Sequence, residues 1–103
     1  MMDLQSWRED IDGELNPDNM RAKLAVGGYA VAMYTYPPGT RFGNHTHAGD
    51  KKDGVLSGQF LMEMLGERVT LKAGDILHVP AGVVHCASVL GEEPVVSLDA
   101  TKL

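Results

Sequence analysis

Residues 39–58 read GTRFGNHTHAGDKKDGVLSG, and residues 74–85 read GDILHVPAGVVH. In the first stretch His45 and His47 stand at i and i+2, a spacing that puts two side chains on one face of a strand. Two ring nitrogens can then reach one ion about 2.0–2.1 Å away. In the second stretch residues 75–79 read as a strand, and Pro80 and Gly82 force a turn. His85 opens the next strand, pointing back toward the pair. Neutral imidazoles converging from separate strands hold a divalent transition metal while leaving coordination positions open for substrate.

Outward from these stretches the chain reads as all-β. Strands are predicted over residues 29–36, 54–64, 68–71, 75–79, 85–90 and 95–100. They are separated by Pro37-Pro38-Gly39, by a hairpin turn at Met64-Leu65-Gly66-Glu67, by Lys72-Ala73-Gly74 and by Gly91-Glu92-Glu93-Pro94. Helix and strand do not alternate, and there is no repeat or internal linker. Residues 1–28 form an acidic leader and residues 29–103 the β domain. In the leader Leu4, Trp7, Ile11 and Leu15 recur at helix-like intervals, and Asn16-Pro17-Asp18-Asn19 is a turn signal. This segment is either a short helix or an arm on a neighbouring subunit.

The two histidine frames resemble the motifs of the cupin superfamily. The first motif, G-x5-H-x-H-x3,4-E-x6-G, is matched by Gly39, His45, His47 and Gly58. The second, G-x5-P-x-G-x2-H-x3-N, is matched by Gly74, Pro80, Gly82 and His85. The resemblance covers residues 29–100 and includes the short spacer, residues 59–73, of small single-domain members. It implies a small antiparallel β-barrel or jelly roll, with a site inside its mouth.

Two positions depart from the motifs. Val89 stands where the family carries an Asn with a structural role, and a β-branched residue suits a strand. Lys51 stands where the family carries a metal-binding Glu. Without that carboxylate, three imidazoles leave the ion fully dicationic, and unit charges about 4 Å apart interact by about 4 kcal/mol at an effective dielectric near 20. A charged Lys51 beside the ion therefore needs compensation. Three arrangements meet this constraint. Lys51 points to solvent and water completes the site; or Asp50 or Asp53 moves into the vacant place through distortion of the 48–54 loop. In the third, Lys51 turns inward with a depressed pKa as proton donor or substrate contact, or the site holds no metal.

Other residues carry competing readings. Tyr34 and Tyr36 share a strand face, where a phenol either holds a substrate oxygen or simply packs. Arg41 lies before the histidine pair, as an anion clamp or an ordinary surface arginine. Phe60, Met62 and Met64 share a face, as barrel core or as an adaptable pocket floor. His78 falls outside both frames and reads as a non-ligand. Cys86 faces away from His85 as a buried, inert thiol, and Glu63 is expected at the surface.

A chain of 103 residues can bury one core and is small enough that pairing between subunits would help. A homodimer through edge-strand pairing is the expectation. The net charge of -5, with no basic cluster beyond Lys51-Lys52, argues against nucleic acid. One cysteine excludes an internal disulfide, no apolar run approaches a membrane span, and the start lacks signal-peptide character. The cytoplasm is the expected location. The cofactor reading is a divalent transition metal (Zn, Fe, Ni or Mn), with an all-oxygen Ca or Mg cage excluded.

A dication uncompensated by carboxylate favours a small anionic, oxygen-rich substrate such as a keto acid, sugar acid or dicarbonyl. The leading reading is a Lewis-acid enzyme for isomerisation or ring opening, with Lys51, Tyr34 and Arg41 as candidate catalytic groups. Small cupins that linearise uronates fit this chemistry. The alternatives are a three-histidine Fe(II) dioxygenase and a non-catalytic module that binds a small ligand.

Overall fold

The computed structural model describes residues 2–103. The short strand β1 (Asp3–Gln5) is followed by helices α1 (Glu9–Asp12) and α2 (Pro17–Ala25). Eight strands complete the chain: β2 (Tyr29–Tyr36), β3 (Arg41–His45), β4 (Lys51–Ser57), β5 (Gln59–Met64), β6 (Glu67–Leu71), β7 (Ile76–Val79), β8 (His85–Leu90) and β9 (Val95–Lys102). They form two antiparallel sheets, ordered β1-β7-β4-β9-β2 and β3-β8-β5-β6. Strands β4 and β5, neighbours in sequence, lie in different sheets, as a jelly roll requires.

This corrects the expected single strand over residues 54–64. The break is Gly58, whose φ of +83° favours glycine, and a Cβ there would stand 2.4 Å from the Pro94 carbonyl oxygen. The chain crosses from one sheet to the other at this point. A second correction concerns residues 48–54, taken as a loop. Strand pairing begins at Lys51, which sits opposite both Val79 and Thr101.

Strand alternation divides the core in two. Val55 and Val95 point between the sheets, where they meet Phe60, Met62, Met64, Leu71, Leu77, Val79, Ala87 and Val89. On the outer face of the five-stranded sheet, Ile76, Leu98 and Ala100 pack under Met20 and Leu24 of α2. Gly54 allows the helix this close, since a Cβ there would stand 2.8 Å from Met20 Sδ.

Asn16-Pro17 begins a helix rather than a turn. The Asn16 side chain accepts from the Asn19 amide at 2.8 Å, and Pro17 occupies the first helical position, where its missing N–H costs nothing. The buried pair is therefore Met20 and Leu24 at i and i+4, while Leu4 and Ile11 of the expected apolar stripe are exposed. No helix among the described residues is long and apolar enough to cross a membrane.

Candidate metal centre and its pocket

Strands β3 and β8 are neighbours, and their register sets His45 directly opposite His85. Side chains so opposed meet across a pair, and the two ring centroids are 4.1 Å apart. His47 lies just past the end of β3, its ring 4.9 Å from His45 and 5.0 Å from His85. Its carbonyl accepts the Gly82 amide at 2.9 Å, which ties the first histidine stretch to the turn of the second. One ring nitrogen from each histidine lies within 4.8 Å of the other two.

The donor set fits a transition metal. The Nδ1 atoms of His45 and His85 are 2.7 and 3.0 Å from the carbonyl oxygens of Gly43 and Val83. A carbonyl only accepts, so each Nδ1 carries the proton and leaves the Nε2 lone pair for a cation. His47 and His85 are both held below the usual imidazole range, first by burial; the Lys51 charge and the other histidines add to this. They are neutral, as ligands must be.

Lys51 does not reach for solvent. It lines the same pocket as the three histidines, and its Nζ lies 2.9 Å from Asp99 Oδ2, with side chains 16% and 22% exposed. The compensation that a charged Lys51 requires comes from β9, 48 residues away. Asp50 and Asp53 do not take the vacant ligand place. Among the described residues the potential ligand group holds only the three imidazoles. Asp50 instead accepts the Ala81 amide at 2.7 Å and lies 3.6 Å from His78.

Asp53 lines the same pocket. Burial pushes its carboxyl up to about 7, the Asp99 charge adds to this, and Lys51 opposes it. Tyr36 also lines the pocket, and burial, with help from Asp99 and Asp53, pushes its phenol up to about 12. Phe60, Met62, Val79 and Ala87 make the rest of the wall apolar, around a cavity of about 170 Å³. A larger hollow of about 500 Å³ lies between α2 and β7; it is lined in part by His78 and by none of His45, His47 and His85.

Two candidates fall outside this pocket. Tyr34 is 46% exposed and stacks on Tyr36, ring centroids 6.0 Å apart, without lining the cavity. Arg41 lies with Glu63, Arg68 and Cys86 along a groove separate from the pocket. Cys86 is half-buried rather than buried, and donates to Glu63 Oε2 at 3.3 Å. His78 sits across from Lys52 on the opposite face from the trio, beside Asp3 and Asp50. Tyr36 and Asp99 are the pocket groups to which the sequence reading gave no leading role. The signal for Asp99 was alternation along β9, which puts it on the inner face with Val95 and Ser97.

The family model for the cupin domain matches residues 32–101. Over 63 residues the chain is 43% identical to the bifunctional lysine-specific demethylase and histidyl-hydroxylase NO66 of Branchiostoma floridae, covering 56% of this chain and 10% of that protein. It thus spans about a tenth of the length of that relative. A conserved protein with a double-stranded β-helix domain from Klebsiella pneumoniae superposes with a TM-score of 0.63 at 30% identity, over 72% of this chain and 66% of that one. Bacillus subtilis oxalate decarboxylase, a protein with Mn(II) centres, gives 0.62 at 30% identity, over 72% of this chain and 21% of that one. Both sequence motifs, the two-sheet fold and the family match agree: the chain belongs to the cupin family.

Proposed function

We propose that this cupin is a metal-dependent enzyme that isomerises or opens a small anionic, oxygen-rich substrate such as a keto acid or sugar acid. The observation that carries the reading is the convergence of three imidazoles, with no carboxylate in the ligand group itself, on a pocket that also holds Lys51. A divalent ion bound by His45, His47 and His85 supplies a Lewis acid toward a carbonyl or carboxylate oxygen. The manganese of the similar oxalate decarboxylase supports this use of the fold.

The chain's own groups do the rest. Lys51 keeps two ammonium N–H groups beyond the one Asp99 accepts, so it can donate to a substrate oxygen while neutralised by its partner. Tyr36 keeps its proton throughout the physiological range and serves as a donor, not a base. The pocket volume of about 170 Å³ lies below the roughly 300–1,000 Å³ of pockets for drug-sized ligands, which fits a small acid. The apolar wall excludes water around it and strengthens each polar contact. With the Lys51–Asp99 pair neutral, the charge of a bound ion would be left for a substrate anion and for any ionised Asp53 to balance.

The test is elemental analysis of the purified chain, followed by a screen of small keto and sugar acids with the loaded protein. About one transition-metal ion per chain is expected, lost in His85→Ala, with turnover of at least one acid and loss of turnover but not of metal in Lys51→Ala. No metal on purification, together with no thermal shift from added zinc, manganese, iron or nickel, overturns the reading.

A further inference from the structure

Strand pairing sets Asp53 directly opposite Asp99. Opposed side chains on one face of an antiparallel pair have Cβ atoms about 4.5–5.5 Å apart. Both residues line the pocket, with Lys51 beside them. Lys51 engages Asp99 Oδ2, whereas Asp99 Oδ1 is buried with no hydrogen-bond partner among the described residues. A buried acceptor without a donor is costly, and so are two opposed carboxylates with one ammonium between them. One proton resolves both defects.

We infer that Asp53 and Asp99 share a single proton across the β4–β9 pair, and that this pair is where the pocket exchanges a proton with a bound substrate. The inference deepens the function proposed above and rests on it for its catalytic half. The titratable groups that share the pocket with Asp53 are Lys51 on its own strand, Asp99 on β9, Tyr36 on β2, and His45, His47 and His85. Of the nearby charges, Lys51 favours the ionised form of Asp53 and Asp99 opposes it, and burial gives the balance to the protonated form.

For an isomerisation the step balances without a co-reactant. With the shared proton resting on Asp99, the ionised Asp53 carboxylate takes a proton from the carbon next to a substrate carbonyl, and the C–H electron pair moves onto the carbonyl oxygen as an enolate. The Asp53 carboxyl then returns that proton to the neighbouring carbon or oxygen, giving an isomer of the substrate. Asp53 is the catalytic residue of this step, and Asp99 is a positioning residue that acts through it.

Two measurements test this. In the full chain, free of zinc and labelled with ¹³C at aspartate carboxyls, one carboxyl should titrate near neutrality; that midpoint should vanish in Asp53→Asn and fall toward the usual carboxylate range in Asp99→Asn. In the zinc-loaded chain, deuterium exchange at the methyl group of pyruvate should drop by about 100-fold or more in Asp53→Asn, with zinc content and melting temperature retained. The pH profile of exchange should shift in Asp99→Asn. If both carboxyls ionise in the ordinary acidic range, the shared proton is overturned. If Asp53→Asn exchanges pyruvate as fast as the parent, the catalytic half is overturned. Should the parent exchange no deuterium, the proposed function is what fails, and the titration alone decides for or against the shared proton.

Discussion

At Asp53 a carboxyl held in the protonated state makes stability depend on pH. Its folded pKa, about 7, lies above the unfolded value of 3.8, so the folded state binds the proton more tightly. That contribution is full below the unfolded pKa and is lost as pH rises through the folded one, by at most about 1.4 kcal/mol per pH unit. Asp53→Asn removes the ionisation at little steric change. Its stability relative to the parent, measured by urea denaturation without metal, should therefore rise steadily between pH 4 and 7 and level off above; a flat difference contradicts the assigned protonation. Lys51→Met leaves Asp99 Oδ2 without its ammonium partner. Fully buried pairs lose about 3–5 kcal/mol on such truncation and exposed pairs lose under about 1, so this partly covered pair should lose about 2 kcal/mol. Adding Asp99→Leu should restore most of the loss, as a double-mutant cycle would reveal.

At the scale of elements, two motif glycines with the same φ of +83° serve different ends. Gly39 has nothing within 4 Å of an added Cβ, so Gly39→Ala should cost only the backbone strain, about 1 kcal/mol. Gly58→Ala adds a collision with the Pro94 carbonyl, where backbone rather than a flexible side chain must yield. Its cost should reach about 3 kcal/mol or more by chemical denaturation. Equal costs would show that the crossover at Gly58 is not what joins the sheets. Helix α2 contributes packing rather than chemistry. Leu24→Ala should cost about 2–5 kcal/mol, because Leu24 is 1% exposed against Ile76, Leu98 and Ala100.

For the whole molecule, a metal held by the trio would be coupled to the fold, because His45 and His85 stand on the neighbouring strands β3 and β8 while His47 leads on toward β4. A cation that binds only the folded arrangement stabilises it by mass action. Chelation should therefore lower the melting temperature, and added zinc should restore it in the parent but not in His85→Ala. Proton competition sets the pH range of this effect. His47 and His85 lie below 6.5 in the folded chain, so they stay unprotonated into more acidic solution than free imidazole. Proton competition from these two should accordingly set in at more acidic pH than for free imidazole, a trend that calorimetric titration with zinc at several pH values would measure. A decline already under way at pH 7.5 would argue against the trio as ligands.

The strand-rich architecture and the convergence of the three histidines were legible in the residues alone, because both rest on local rules. Period-two alternation and turn residues mark strands wherever they occur, and an H-x-H pair at a strand end followed by a P-x-G turn aims imidazoles inward through short-range geometry alone. What Lys51 does was beyond such rules. Its direction depends on Asp99, whose place opposite Asp53 is fixed by the β4–β9 register, and register follows from packing across the whole core. The same holds for α2. Its helix was hidden in an Asn-Pro sequence that serves turns and N-caps alike, until Gly54 offered a surface for Met20 and Leu24 to cover. Tertiary structure decided these points because the energy that settles them comes from charges and apolar surfaces brought together from distant parts of the chain.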